Sequence, residues 1–163
     1  GPPPTPSSCL IRAPAGRDFW RQTFYTPLLL KDDAPALLRP APPSDFTATV
    51  TLSLTPKHQF DQAGLLARLD EENWIKAGVE VVDGKSRLSC VVTTSGWSDW
   101  SSHPLPPSAN QTPLAPIEGL RVRLHRVGPN TVVFEAAVGE SGAFEMLRVA
   151  RLGEGGGGKP WRV

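Results

Sequence analysis

Cysteine is scarce, with only Cys9 and Cys90 in 163 residues. The two could close one bridge but make no disulfide framework, and no Cys/His spacing suits zinc. Charge of one sign is missing as well. Lys and Arg number 17 against 16 Asp and Glu, a formal net charge of +1. Without a dense basic run, neither nucleic acid nor an anionic membrane is expected as a partner. Long hydrophobic runs are absent: "PLLL" at 27–30 is typical, whereas a membrane-crossing helix needs about twenty apolar residues.

The usual marks of catalysis are missing too. There is no phosphate-binding loop, dinucleotide fingerprint or metal motif, so no cofactor and no metal are expected. His58, His103 and His125 lie in unrelated contexts, and no Ser-His-Asp or Cys-His order is suggested. A glycosidase needs two carboxylates about 5–10 Å apart across one bond. Glu80 and Glu135 are the carboxylates that fall mid-strand, and alternation alone does not put them on one face. Neither end carries a signal peptide or lipidation motif. Cys90 falls within an apolar alternation as a buried thiol, which suits a reducing, cytoplasmic setting. A secretory segment removed ahead of Gly1 would leave no trace.

Proline and glycine, at 18 and 15, are plentiful and clustered. They mark a Pro-rich tail at 1–9, Pro-rich loops at 35–43 and 103–116 and a Gly-rich stretch at 153–158, with one domain over 10–163. Between the clusters the pattern has period two. Phe46, Ala48, Val50, Leu52 and Leu54 alternate with Thr47, Thr49, Thr51 and Ser53, the pattern of a strand with one buried face. The alternation recurs over 62–69, 73–82, 87–93, 120–127, 131–138 and 144–152. Hairpin-type connections stand at 70–73 and 83–86, and a β-turn at 127–130. No window holds a helical period, and prolines bracket 33–40 so tightly that one turn is the most it can form. Seven or more short strands predict an all-β sandwich or barrel.

One short stretch points elsewhere. Trp97-Ser98-Asp99-Trp100-Ser101 matches the Trp-Ser-x-Trp-Ser box of type I cytokine receptors letter for letter. The context departs from those receptors. Arg87 stands alone where they stack several arginines, the four-cysteine module is absent, and three strands follow the box. The Asn110-Gln111-Thr112 sequon is followed by Pro113. The box is expected to turn the chain out into the Pro-rich loop, with Ser98 and Asp99 as turn formers.

A second resemblance fits more of the chain. Asp61-Gln62-Ala63-Gly64-Leu65, Asp70, Trp74 through Glu80, Val92-Thr93 and Ser98 through Ser101 recur in this order. So do "DFWRQTFY" at 18–25, "LRVRLHR" at 120–126 and "MLRVARL" at 146–152. Together they resemble the domain-of-unknown-function family typified by the fungal regulation-of-enolase protein, related to accessory domains of some β-xylosidases. The resemblance implies a concanavalin A-like jelly-roll β-sandwich of two antiparallel sheets. Phe60 and Phe144 stand where the family has Tyr and Trp. The family also continues into one or two further strands, which implies a truncated sheet with an unpaired edge here.

Strand phase sorts the candidate site. With Ile75, Ala77, Val79 and Val81 inward, Trp74, Lys76 and Glu80 face outward, as does Gln62 on the preceding strand. Arg121, Arg123 and His125 face outward on theirs. If these strands share a sheet, Gln62, Trp74, Lys76, Glu80, Arg121 and Arg123 gather on its open face. At about 3.3 Å per residue, Trp74 and Lys76 are about 7 Å apart and can act together. A flat ring beside amide, carboxylate and cationic groups suits a carbohydrate or other polar small ligand, and Gly64 and Gly78 leave room for a ligand or a close backbone. The same residues equally suit a solvated ion-paired face, with Trp74 roofing the sheet under a loop. The functional expectation is a non-catalytic binding domain for a glycan or polar small ligand. The alternative is a protein-interaction or regulatory domain, as the family's link to enolase implies. A glycosidase-related enzyme and a cytokine-receptor-type ectodomain rank below both.

Overall fold

The computed structural model describes residues 8–105, 114–153 and 160–163. Most of the Pro-rich tail, the Asn110 sequon with the centre of its loop, and 154–159 lie outside the described residues. The chain is all-β. The seven strands anticipated from alternation are present as β3 (Phe46–Leu54), β4 (Gln62–Arg68), β5 (Trp74–Val82), β6 (Lys85–Thr94), β8 (Ile117–Val127), β9 (Thr131–Val138) and β10 (Glu145–Arg151). Three more join them: β1 (Phe19–Arg21), β2 (Leu30–Asp32) and β7 (Trp97–Pro104). Two antiparallel four-stranded sheets, ordered β10-β9-β8-β3 and β4-β5-β6-β7, form a jelly-roll sandwich, and β1 and β2 make a separate two-stranded ribbon.

The core lies between the sheets, where the alternation predicts it. Ile75, Val79, Val81, Leu120, Val122, Leu124, Val132 and Phe134 are all at most 1% exposed. Two-residue turns set the registers of the β4–β7 sheet. Asp83 and Gly84 both have positive φ between β5 and β6, and Ser95 and Gly96 repeat that geometry between β6 and β7. Both are the left-handed pair that a tight hairpin needs.

The second turn corrects the expectation for the tryptophan box. The chain does not leave the sheet at Gly96. It folds straight back, pairing Thr94 with Trp97 and Arg87 with Pro104, so the box is an edge strand. Ser98 and Asp99 are strand residues rather than turn formers. Ser98 is buried, bonds the Thr93 hydroxyl and accepts the Arg21 amide. Asp99 reaches Arg148 of β10 at 3.5 Å across the open side of the sandwich. A charged side chain on an edge strand discourages edge-to-edge pairing.

The C-terminal residues brace the opposite edge. Arg162 exchanges two backbone hydrogen bonds with Arg68 of β4, and Val163 exchanges two with Arg39. The edge of β4 is therefore met by Arg162 at Arg68, while β3, β7 and β10 remain terminal strands of their sheets among the described residues.

Candidate functional site

The register of the β4–β7 sheet defines its outer face row by row. One row runs Gln62, Glu80, Arg87, Pro104, and the next Gly64, Gly78, Ser89, Ser102. Then come Leu66, Lys76, Val91, Trp100 and Arg68, Trp74, Thr93, Ser98. Four of the six anticipated residues, Gln62, Trp74, Lys76 and Glu80, thus share a face. Arg121 and Arg123 do not. They sit on β8 of the other sheet, because alternation tells inside from outside but not which sheet a strand joins. Both guanidiniums lie over the Phe144 ring, at 4.8 and 3.5 Å, and Arg121 also bonds the carbonyls of Gly139 and Gly142. Glu135 belongs to that second sheet too, so Glu80 and Glu135 do not flank a common bond.

The face expected to be open is largely covered. The β1–β2 ribbon lies over it, held by the Arg68–Asp32 ion pair at 2.5 and 2.8 Å and by the Arg21 amide on Ser98. Trp20, Trp74 and Val91 form a cluster against which Phe19, Tyr25 and Leu29 pack, and Trp74, 0% exposed, donates its indole N–H to the Glu71 carbonyl. Trp74 therefore has no free face for a ligand to stack on. It is the centre of a second, smaller core, which is the roofed arrangement with the ribbon serving as the roof.

Asp18, ahead of β1, joins the ribbon to the polar residues. Its Oδ1 accepts from Lys76 Nζ at 2.6 Å and from Gln62 Nε2 at 3.1 Å. The second Gln62 amide hydrogen bond goes to the Phe60 carbonyl. Lys76 also lies 5.8 Å from the Trp74 ring centroid. Gly64 and Gly78 form the floor and settle the choice between ligand space and backbone approach. A Cβ on either would come within 2.1 Å of the opposite strand's carbonyl oxygen, so the two backbones approach too closely for any side chain.

Glu80 is 6% exposed. Its Oε2 accepts the Ser89 hydroxyl, whose oxygen in turn accepts the Trp100 indole N–H at 2.8 Å. Arg87, directly opposite Glu80, turns towards Ser102 instead. Burial pushes the Glu80 carboxyl above its ordinary range. The Ser89 hydrogen bond and the Lys76 charge pull it down, and nearby Asp18 pushes it further up. Tyr25 is raised mainly by burial, then by the negative charges of Asp18 and Glu80. Phe60 and Trp100, 40% and 38% exposed, meet edge to face at 6.4 Å and 78°. Asp18, Tyr25, Phe60, Ser89 and Trp100 thus complete the candidate site. Reading the tryptophan box as a strand would have placed Trp100 on this face by alternation.

Among the described residues no cluster of three or more His, Cys, Asp or Glu could hold a metal ion. Two cavities of about 390 and 200 Å³ open elsewhere, both beside Leu88 and Glu145, the larger reaching Met146 and the smaller Ala136 and Gly142, and neither includes a candidate residue. Cys90 is buried between the sheets, and burial pushes its thiol up to about 12. An inert thiol is the consequence.

Known proteins share the fold and parts of the sequence. The chain is 42% identical over 85 residues to Regulation of enolase protein 1 of Saccharomyces cerevisiae, a stretch covering 52% of this chain and 41% of that protein. It is 31% identical over 106 residues to an uncharacterized protein of Emericella nidulans, covering 62% and 51%. The chain thus spans about half the length of these relatives, or less. The crystal structure of a functionally unknown protein from Saccharomyces cerevisiae superposes with a TM-score of 0.69 at 26% identity, over 90% of this chain and 70% of that one. Residues 4–163 match the family described as protein of unknown function, DUF1349, and the chain belongs to that family.

Proposed function

We propose that this chain is a non-catalytic recognition domain that binds a polar group at the corner formed by Glu80, Ser89, Trp100 and Phe60. One observation carries the reading. A carboxylate is buried on the outer face of a sheet, bonded by a neutral hydroxyl, beside two half-exposed rings. Burying a carboxylate without a cation is costly, and a purely structural role would be served equally well by an apolar residue. A half-exposed indole joined through a serine to a buried carboxylate suits a polar small ligand, a glycan hydroxyl pair included, or a polar side chain of a partner.

A regulatory, protein-binding role is the second reading. It is favoured by the likeness to a protein named for regulating enolase. One experiment addresses both. Purified wild type and Trp100→Ala are titrated with neutral polyols, small amines and purified enolase. Binding that Trp100→Ala abolishes, with the thermal transition retained, supports recognition at the corner. Binding that survives the substitution unchanged sinks it.

A further inference from the structure

We propose that the group recognised at the Glu80 corner is an organic cation, an ammonium or guanidinium, from either a free amine or a basic side chain of a partner. The inference rests on the recognition reading above and narrows its chemistry.

The supply of internal partners decides the sign. Two carboxylates, Asp18 and Glu80, meet one ammonium, Lys76, and Lys76 is bonded to Asp18. The other cation within reach in the register, Arg87, hydrogen-bonds Ser102. Among the described residues Glu80 therefore keeps the Ser89 hydroxyl, which in turn accepts the Trp100 indole N–H. A buried carboxylate of this kind gains most from an incoming cation, whose charge offsets the cost of its own desolvation.

The rings add to the same preference. Trp100 reaches Glu80 through Ser89, its ring meets that of Phe60 nearly perpendicular and both are partly exposed, and aromatic faces attract ammonium and guanidinium groups. A neutral polyol is less well served. The planar groups that would fork its hydroxyls are occupied, since both Gln62 amide hydrogens are bonded, to Asp18 and Phe60.

The test is an NMR titration of the full chain near neutral pH. Methylammonium represents free amines, Nα-acetyl-lysine methylamide and Nα-acetyl-arginine methylamide represent partner side chains, and xylose is the neutral control. The cations should shift the Trp100 indole and Glu80 carboxyl signals saturably, and Glu80→Gln should weaken binding at least about tenfold. Trp100→Phe, which keeps an aromatic ring, should weaken it less than Glu80→Gln. Tighter binding of the amino-acid amides identifies a partner side chain as the source, and tighter binding of methylammonium identifies a free amine. If no cation moves these signals, or if Glu80→Gln binds unchanged while retaining its fold, the inference is overturned. Xylose shifting the same signals alone would overturn the cation and leave the recognition reading standing.

Discussion

The two sheets present outer faces of opposite character. On the β10-β9-β8-β3 sheet, Thr47, Thr49 and Thr51 stay in solvent beside a ladder of paired charges. His125 bonds Thr47 and Glu135, each at 2.9 Å, and Arg123 lies 3.5 Å from Glu135. On the β4–β7 sheet the β1–β2 ribbon roofs Trp74, and Glu80 is buried on the same face. Both faces come from strands of the same alternating kind. An outward phase therefore leaves a side chain facing either solvent or whatever the rest of the chain lays over it.

The contrast is broken most severely at Trp74. If the ribbon makes a true second core, Trp74→Ala should cost about 3–5 kcal/mol, read as a lowered urea midpoint at constant slope. A cost below about 1 kcal/mol, the range of exposed pairs, would mean that the ribbon merely rests on the sheet.

Glu80 sharpens the comparison through pH. Its folded carboxyl titrates above the unfolded value, so the folded state holds more protons across the window between the two. Stability from this group is complete below the unfolded pKa of about 4.3. It is lost as pH rises through the folded pKa. Glu80→Gln removes that loss and should be more stable than wild type at neutral pH, with the two thermal transitions converging in acid. Curves that stay parallel across the whole range would show that Glu80 carries no such penalty.

What was legible in the sequence follows the same division. Seven strands and the inner core could be read because alternation reports directly on burial between sheets, as at Ile75 to Val81 and Leu120 to Leu124. β7 was hidden because serine, aspartate and a following proline-rich loop imitate a turn, although Ser98, Trp100 and Ser102 keep the period of a strand. The position of Arg121 and Arg123 was not legible, since sheet membership depends on pairing between distant segments, β3 with β8 in this case. Nor was the roof over Trp74. It needs Trp20 and Asp18, which are 54 and 58 residues from Trp74 and Lys76, and no local pattern links segments so far apart. Gln62, Lys76 and Glu80 came together because neighbouring hairpin strands fix each other's register.

The smallest effect belongs to the open face. Glu135 is the shared acceptor of Arg123 and His125, with a quarter of its side chain exposed. Exposed pairs contribute about 0–1 kcal/mol because water and salt screen them and long side chains lose freedom in holding them. Glu135→Gln should therefore shift the urea midpoint only slightly, by an amount that shrinks further as salt is raised. The Glu80 corner should respond much less to salt, since buried charges are screened less. A Glu135→Gln cost as large as that of Trp74→Ala would erase the distinction between the two faces. It would make the charge ladder, rather than the roofed cluster, the more structural of the two.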